Sequence, residues 1–73
     1  MKTKKWISEL HHGELFTILP NESEVLHYFV ALGGFDSISK FGYRTCVCFN
    51  DLTTRYDFAN VQVYSLGILV TKL

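Results

Sequence analysis

No stretch of this 73-residue sequence comes near the roughly 18 consecutive apolar residues of a membrane-spanning helix, so a soluble chain with no membrane partner is expected. Excess charge is also missing. Seven basic and seven acidic side chains cancel, which removes the overall positive field that draws proteins onto phosphate backbones. The single local excess is Lys2, Lys4 and Lys5, and an export signal would need an apolar run of about seven residues behind it. Trp6-Ile7-Ser8-Glu9-Leu10 breaks at once, so no export signal is expected.

Cysteine occurs twice, at Cys46 and Cys48, with one residue between them. In a strand that spacing sends both side chains to one face, where a mutual disulfide would be strained. They read as reduced thiols packed as small apolar groups, which suits a cytoplasmic protein. Proline occurs once, and no internal repeat, linker or low-complexity tract divides the chain.

What is present is apolar and aromatic: 48% hydrophobic residues build one small core, and two domains would each be too short to stand alone. Residues 1–73 therefore read as a single domain, with 1–6 as a flexible lead-in and 68–73 as an apolar tail. Phe and Tyr, in short runs broken by Gly and polar turns, favour an all-β fold.

Along the chain, His11-His12-Gly13 is a turn and Glu14 to Leu19 a first strand, closed by Pro20-Asn21. Residues 22–32 admit two readings. Asn21 or Ser23 would cap a short helix ended by Gly33-Gly34, whereas Val25, Tyr28, Phe29 and Val30 favour a strand, the reading preferred here. Gly33 to Gly42 is a long loop around Phe35, Ile38 and Phe41. Tyr43 to Phe49 alternates, with Thr45, Val47 and Phe49 on one face and Arg44, Cys46 and Cys48 on the other. Apolar residues on both faces mark a central strand. Arg55 to Phe58 returns as a hairpin arm, and Val61 to Leu66 forms the last strand, separated by Gly67 from the tail Ile68 to Leu73.

This order of signals resembles the small five-stranded SH3-like barrels, in particular short proteins of phage and prophages. The resembling residues are Leu10 to Phe16, Val25 to Val30, Arg44 to Phe49, Asp51 to Thr54 and Asn60 to Tyr64. The N-terminal barrel of elongation factor P is laid out comparably. The resemblance implies a barrel in which a Leu-x-x-Gly turn launches the first strand and a 3-10 turn precedes the last. It carries no functional signature: the lysine-bearing loop of elongation factor P has no counterpart beyond Lys40, so no translation role is implied.

Candidate sites follow from side-chain chemistry. His11, His12, His27, Cys46 and Cys48 are potential zinc ligands, but they lack the paired spacing of closed sites, and no metal or other cofactor is expected. A Cys nucleophile with His27 as base is disfavoured because thiols at the centre of an apolar strand stay protonated, so no enzymatic activity is expected. Lys40, Phe41, Tyr43, Arg44, Arg55 and Tyr56 interleave cations and aromatics, which would suit a single-stranded nucleic-acid surface if they shared one face. The stronger candidates are apolar: Phe35, Ile38 and Phe41 in the loop, and Ile68, Leu69 and Val70 in the tail. Left exposed they would form a protein-binding patch; otherwise the loop folds over a barrel mouth and the tail adds an edge strand.

The expectation is a small non-catalytic interaction module, in keeping with a phage or mobile-element accessory protein, that binds a protein partner or self-associates. Two alternatives stand beside it: a single-stranded nucleic-acid-binding barrel, and a phage-encoded inhibitor of a host protein.

Overall fold

The computed structural model describes residues 2–21, 23–34 and 38–72. The fold is all-β. Six strands, β1 (Thr3–Trp6), β2 (Glu14–Thr17), β3 (Tyr28–Ala31), β4 (Tyr43–Cys48), β5 (Arg55–Ala59) and β6 (Gln62–Leu69), form one antiparallel sheet in the order β1-β6-β2-β3-β4-β5.

The sheet curls tightly. Neighbouring strands lie about 4.8 Å apart, so β2 and β5, three positions apart, would be separated by about 14 Å in a flat sheet. Instead Phe16 of β2 and Phe58 of β5 meet edge to face with ring centroids 5.8 Å apart. Phe29 of β3 fills the concavity between them, 5.9 Å from Phe16 and 5.0 Å from Phe58. Ile7, Leu10, Ala31, Cys46 and Val63 complete this inner core. On the convex face Leu15, Val30 and Val47 line up in register beneath Tyr28, Leu32, Phe49, Leu52, Leu66 and Val70.

Several expectations change. The barrel is not closed: among the described residues β1 and β5 stand at the two ends of the sheet without pairing to each other. Among the described residues there are six strands rather than five, because Thr3–Trp6 pairs with Gln62–Ser65 instead of forming a flexible lead-in. The helix considered at 22–32 reduces to a 3-10 turn at Val25–His27 that leads straight into β3, as the preferred strand reading anticipated for its second half. Gly67 does not end the last strand. At φ 71 it sits in the left-handed region, which glycine adopts without strain, and β6 continues to Leu69, opposite Glu14.

Two contacts hold the curl. At one end of the gap between β1 and β5 a 3-10 turn, Ile7–Glu9, bridges it: Ile7 donates its N–H to Val61 O at 2.9 Å and Ser8 to Asn60 Oδ1 at 3.1 Å. At Gly13 (φ 88) two backbones cross: Gly13 O accepts the Val70 N–H at 2.7 Å, and a Cβ there would lie 2.6 Å from Val70 O.

Candidate functional site

Arg44 projects from β4 onto the inner face, where it is fully buried. Its Nε donates to Leu32 O at 3.0 Å, Nη1 to Ile7 O at 3.0 Å and Leu10 O at 2.6 Å, and Nη2 to Gly33 O at 3.2 Å. The planar fork thus satisfies carbonyls from both ends of the 3-10 turn segment and from the start of the β3–β4 connection. A side chain so engaged is structural and does not meet phosphate. Strand alternation also divides the rest of the proposed nucleic-acid surface: Tyr43 and Arg55 occupy the convex face, and Tyr56 the concave one. Lys40 lies over the ring of Phe41 at 5.2 Å.

A second buried polar group is Glu14, at the start of β2. It accepts hydrogen bonds from Ser65 Oγ, from Lys5 Nζ at 3.0 Å and from the His11 N–H at 3.0 Å, with His11 Nδ1 at 3.4 Å. Burial alone would raise its pKa, but these donors outweigh it and hold the carboxyl at about 2. A carboxylate that acidic is a poor base for the Ser65 hydroxyl, and the hydrogen bonds from Lys5 of β1 and Ser65 of β6 to Glu14 of β2 staple the three strands together. Burial pushes the Cys46 thiol up to about 12, against the attraction of the Arg44 charge, which keeps it protonated and inert. Among the described residues no three His, Cys, Asp or Glu side chains come together as a metal site.

The apolar candidates separate. Ile38 is half-buried and packs on the inner core, while Phe41, 76% exposed, points to solvent. Ser39 fixes this end of the loop: its N–H donates to Tyr43 O, and its hydroxyl accepts the N–H groups of Phe41 and Tyr43. Phe35 lies outside the described residues. Ile68 and Leu69 are exposed, whereas Val70 packs against the convex cluster. Loop and tail line different concavities, the loop with Leu32, Tyr43, Thr45 and Arg55, the tail with Lys5, His11 and Glu14.

A different apolar site, absent from the expectations, is the open mouth of the curl. Thr17, Ile18 and Leu19 at the end of β2, His27 and Phe29 at the start of β3, and Phe58 of β5 line a cavity of about 340 Å³. Leu19 is 54% exposed, and across the β2–β3 connection Leu26 is 59% exposed, with Ile18 and Val25 also open to solvent. Their placement follows from the local sequence. Pro20 lacks an N–H and ends the ladder, so Ile18-Leu19 runs past the last pairing partner. The signal was two apolar pairs, Ile18-Leu19 and Val25-Leu26, flanking a polar turn.

Beside this mouth runs β5. Among the described residues it pairs with β4 on one side only. Tyr56 and Phe58 face inward, stacked edge to face on Phe29 at 5.6 and 5.0 Å, and Arg55 and Asp57 face outward, with Asp57 accepting the Thr45 hydroxyl at 2.8 Å. The outer edge of β1 is blunter, because Glu9 Oε1 already caps the Trp6 N–H at 2.7 Å. No helix among the described residues is long and apolar enough to cross a membrane. Comparison of the chain with protein-family models, with curated proteins and with solved structures gave no match, so the likeness to SH3-like barrels rests on the residues quoted for it.

Proposed function

We propose that this chain is a non-catalytic protein-interaction module that binds through the open side of its curled sheet, the free edge of β5 together with the apolar mouth next to it. One observation carries the reading. Among the described residues an unpaired strand edge, whose charges Arg55 and Asp57 lie on the convex face, runs beside exposed Leu19 and Ile18 and the Phe29–Phe58 floor on the concave one. An extended segment of a protein partner added to β5 would gain main-chain hydrogen bonds from the edge and bury alternate side chains against Tyr56, Phe58 and Leu19.

The test places a photo-crosslinking amino acid at position 19, 56 or 71 of the full chain in its native cells. The same protein adduct from 19 and 56, lacking from 71, supports the reading. Adduct patterns that do not differ between the three positions overturn it.

A further inference from the structure

We infer that the free edge of β5 takes a second copy of this chain, antiparallel and two-fold symmetric, with Tyr56 of one protomer opposite Tyr56 of its partner. The inference rests on the reading of β5 as the binding face.

Hydrogen-bond parity defines which groups are offered. Phe49 donates its N–H to Tyr28 O, and Cys48 donates to Thr54 O. In β4 the odd-numbered residues therefore bond β3 and the even-numbered ones bond β5. With Cys46 opposite Tyr56 and Arg44 opposite Phe58, the backbones of Thr54, Tyr56 and Phe58 are spent on β4. The N–H and C=O groups of Arg55 and Asp57 point away from the sheet.

Charge then selects the register. Pairing centred on Asp57 sets Asp57 opposite its own copy, and pairing centred on Arg55 does the same for Arg55; both place like charges in direct opposition. Pairing centred on Phe58 sets Asp57 opposite Ala59 and gains no ion pair. Only the Tyr56-centred register places Arg55 opposite Asp57 twice, once on each side of the axis, on the convex face. It also places the half-exposed Tyr56 rings against each other on the concave face. This register uses residues 54 to 58, at the open mouth, and stays clear of the end bridged by Ile7 and Ser8. A strand-edge contact of this length is small by the standard of stable dimers, so a weak dimer is expected, with a dissociation constant on the order of micromolar or higher.

The experiment is light scattering of the full chain up to about 1 mM, with Arg55→Asp, Asp57→Arg and the double swap. Both side chains are exposed, and unchanged thermal midpoints confirm folding. Each single swap creates two like-charge pairs and weakens dimerisation about tenfold or more, and the double swap restores it. As an independent check, mild oxidation crosslinks Tyr56→Cys to a dimer, because directly opposed Cβ atoms fall within disulfide reach, while the wild-type chain gives none. A wild-type chain that stays monomeric, or a double swap that fails to rescue, overturns the self-pairing. Crosslinks from position 56 to a different protein in cells then show that β5 binds another partner, and lack of any specific crosslink sinks the broader reading as well.

Discussion

A guanidinium taken out of water is costly unless its donors are met, and at Arg44 four carbonyl oxygens meet them. The converse also holds: removing the guanidinium strands those carbonyls in the interior. Arg44→Met is expected to cost about 3–5 kcal/mol, the range for removing one side of a buried charged network, and Arg44→Lys most of that, since an ammonium cannot span the fork. In a domain whose whole stability is about 5–15 kcal/mol this is a large share. Urea denaturation measures it, and a change below about 1 kcal/mol for both variants would show that the cradle is not what holds the turn. Glu14 makes the complementary case. Its carboxyl titrates at about 2 in the fold against 4.5 as the ordinary value, so its stabilisation is fully present above about pH 4.5 and is lost as pH falls toward 2. The full linkage is up to about 3 kcal/mol. Denaturation midpoints should fall between pH 5 and pH 2.5 in the natural chain, and that fall should be smaller in Glu14→Gln.

The last strand is where element-level reasoning from sequence went furthest astray. Gly67 looked like a stop between strand and tail, yet glycine is the residue that lets β6 pass through a left-handed position and keep pairing. Beyond it Leu69 lies opposite Glu14, and Val70 is tied to Gly13. Deleting residues 68–73 is therefore expected to lower the thermal midpoint by about 10 °C or more, on the scale of 4–8 °C per kcal/mol for a domain this size. Gly13→Ala should do comparable harm, because it meets both a positive φ and the Val70 backbone. Differential scanning calorimetry reads both, and an unchanged midpoint in the truncated chain would restore the tail to a dispensable appendage. The strand Tyr43 to Cys48 was, in contrast, legible in full. Its alternation named both faces correctly, because a strand paired on both sides, here next to the edge strand β5, is patterned by the two clusters at once. What its pattern could not disclose was that the inward-facing Arg44 is fully buried, since that depends on carbonyls at Ile7 and Leu10, far away in sequence.

At the scale of the whole molecule, the all-β class was readable from aromatic and β-branched content, but the open sheet was not. Whether the end strands meet depends on curl, and curl is set by how Phe16, Phe29 and Phe58 nest across four strands. The candidate site was partly hidden for the same reason: Leu19 and Phe58, distant in sequence, line one cavity only after the sheet has curled. The order of strands also predicts a gradient of protection. In dilute solution the amides of β2, β3, β4 and β6 should exchange slowest, and those of Lys4, Arg55 and Asp57, which face off the two edges, fastest. Slow exchange at Arg55 and Asp57 at the lowest concentrations would mean that β5 is covered within a single molecule.

The position of β6 carries one more consequence. It lies between β1 and β2, yet it follows the other five strands along the chain. During synthesis from the N-terminus, β1 has nothing to pair with and β2 shows a bare edge until the nascent polypeptide has delivered β6. Until then the inner core lacks Val63 and the convex cluster lacks Leu66, so completion of the fold waits on long-range closure. For a protein read here as one that recruits strands at its edges, the first strand recruited is its own.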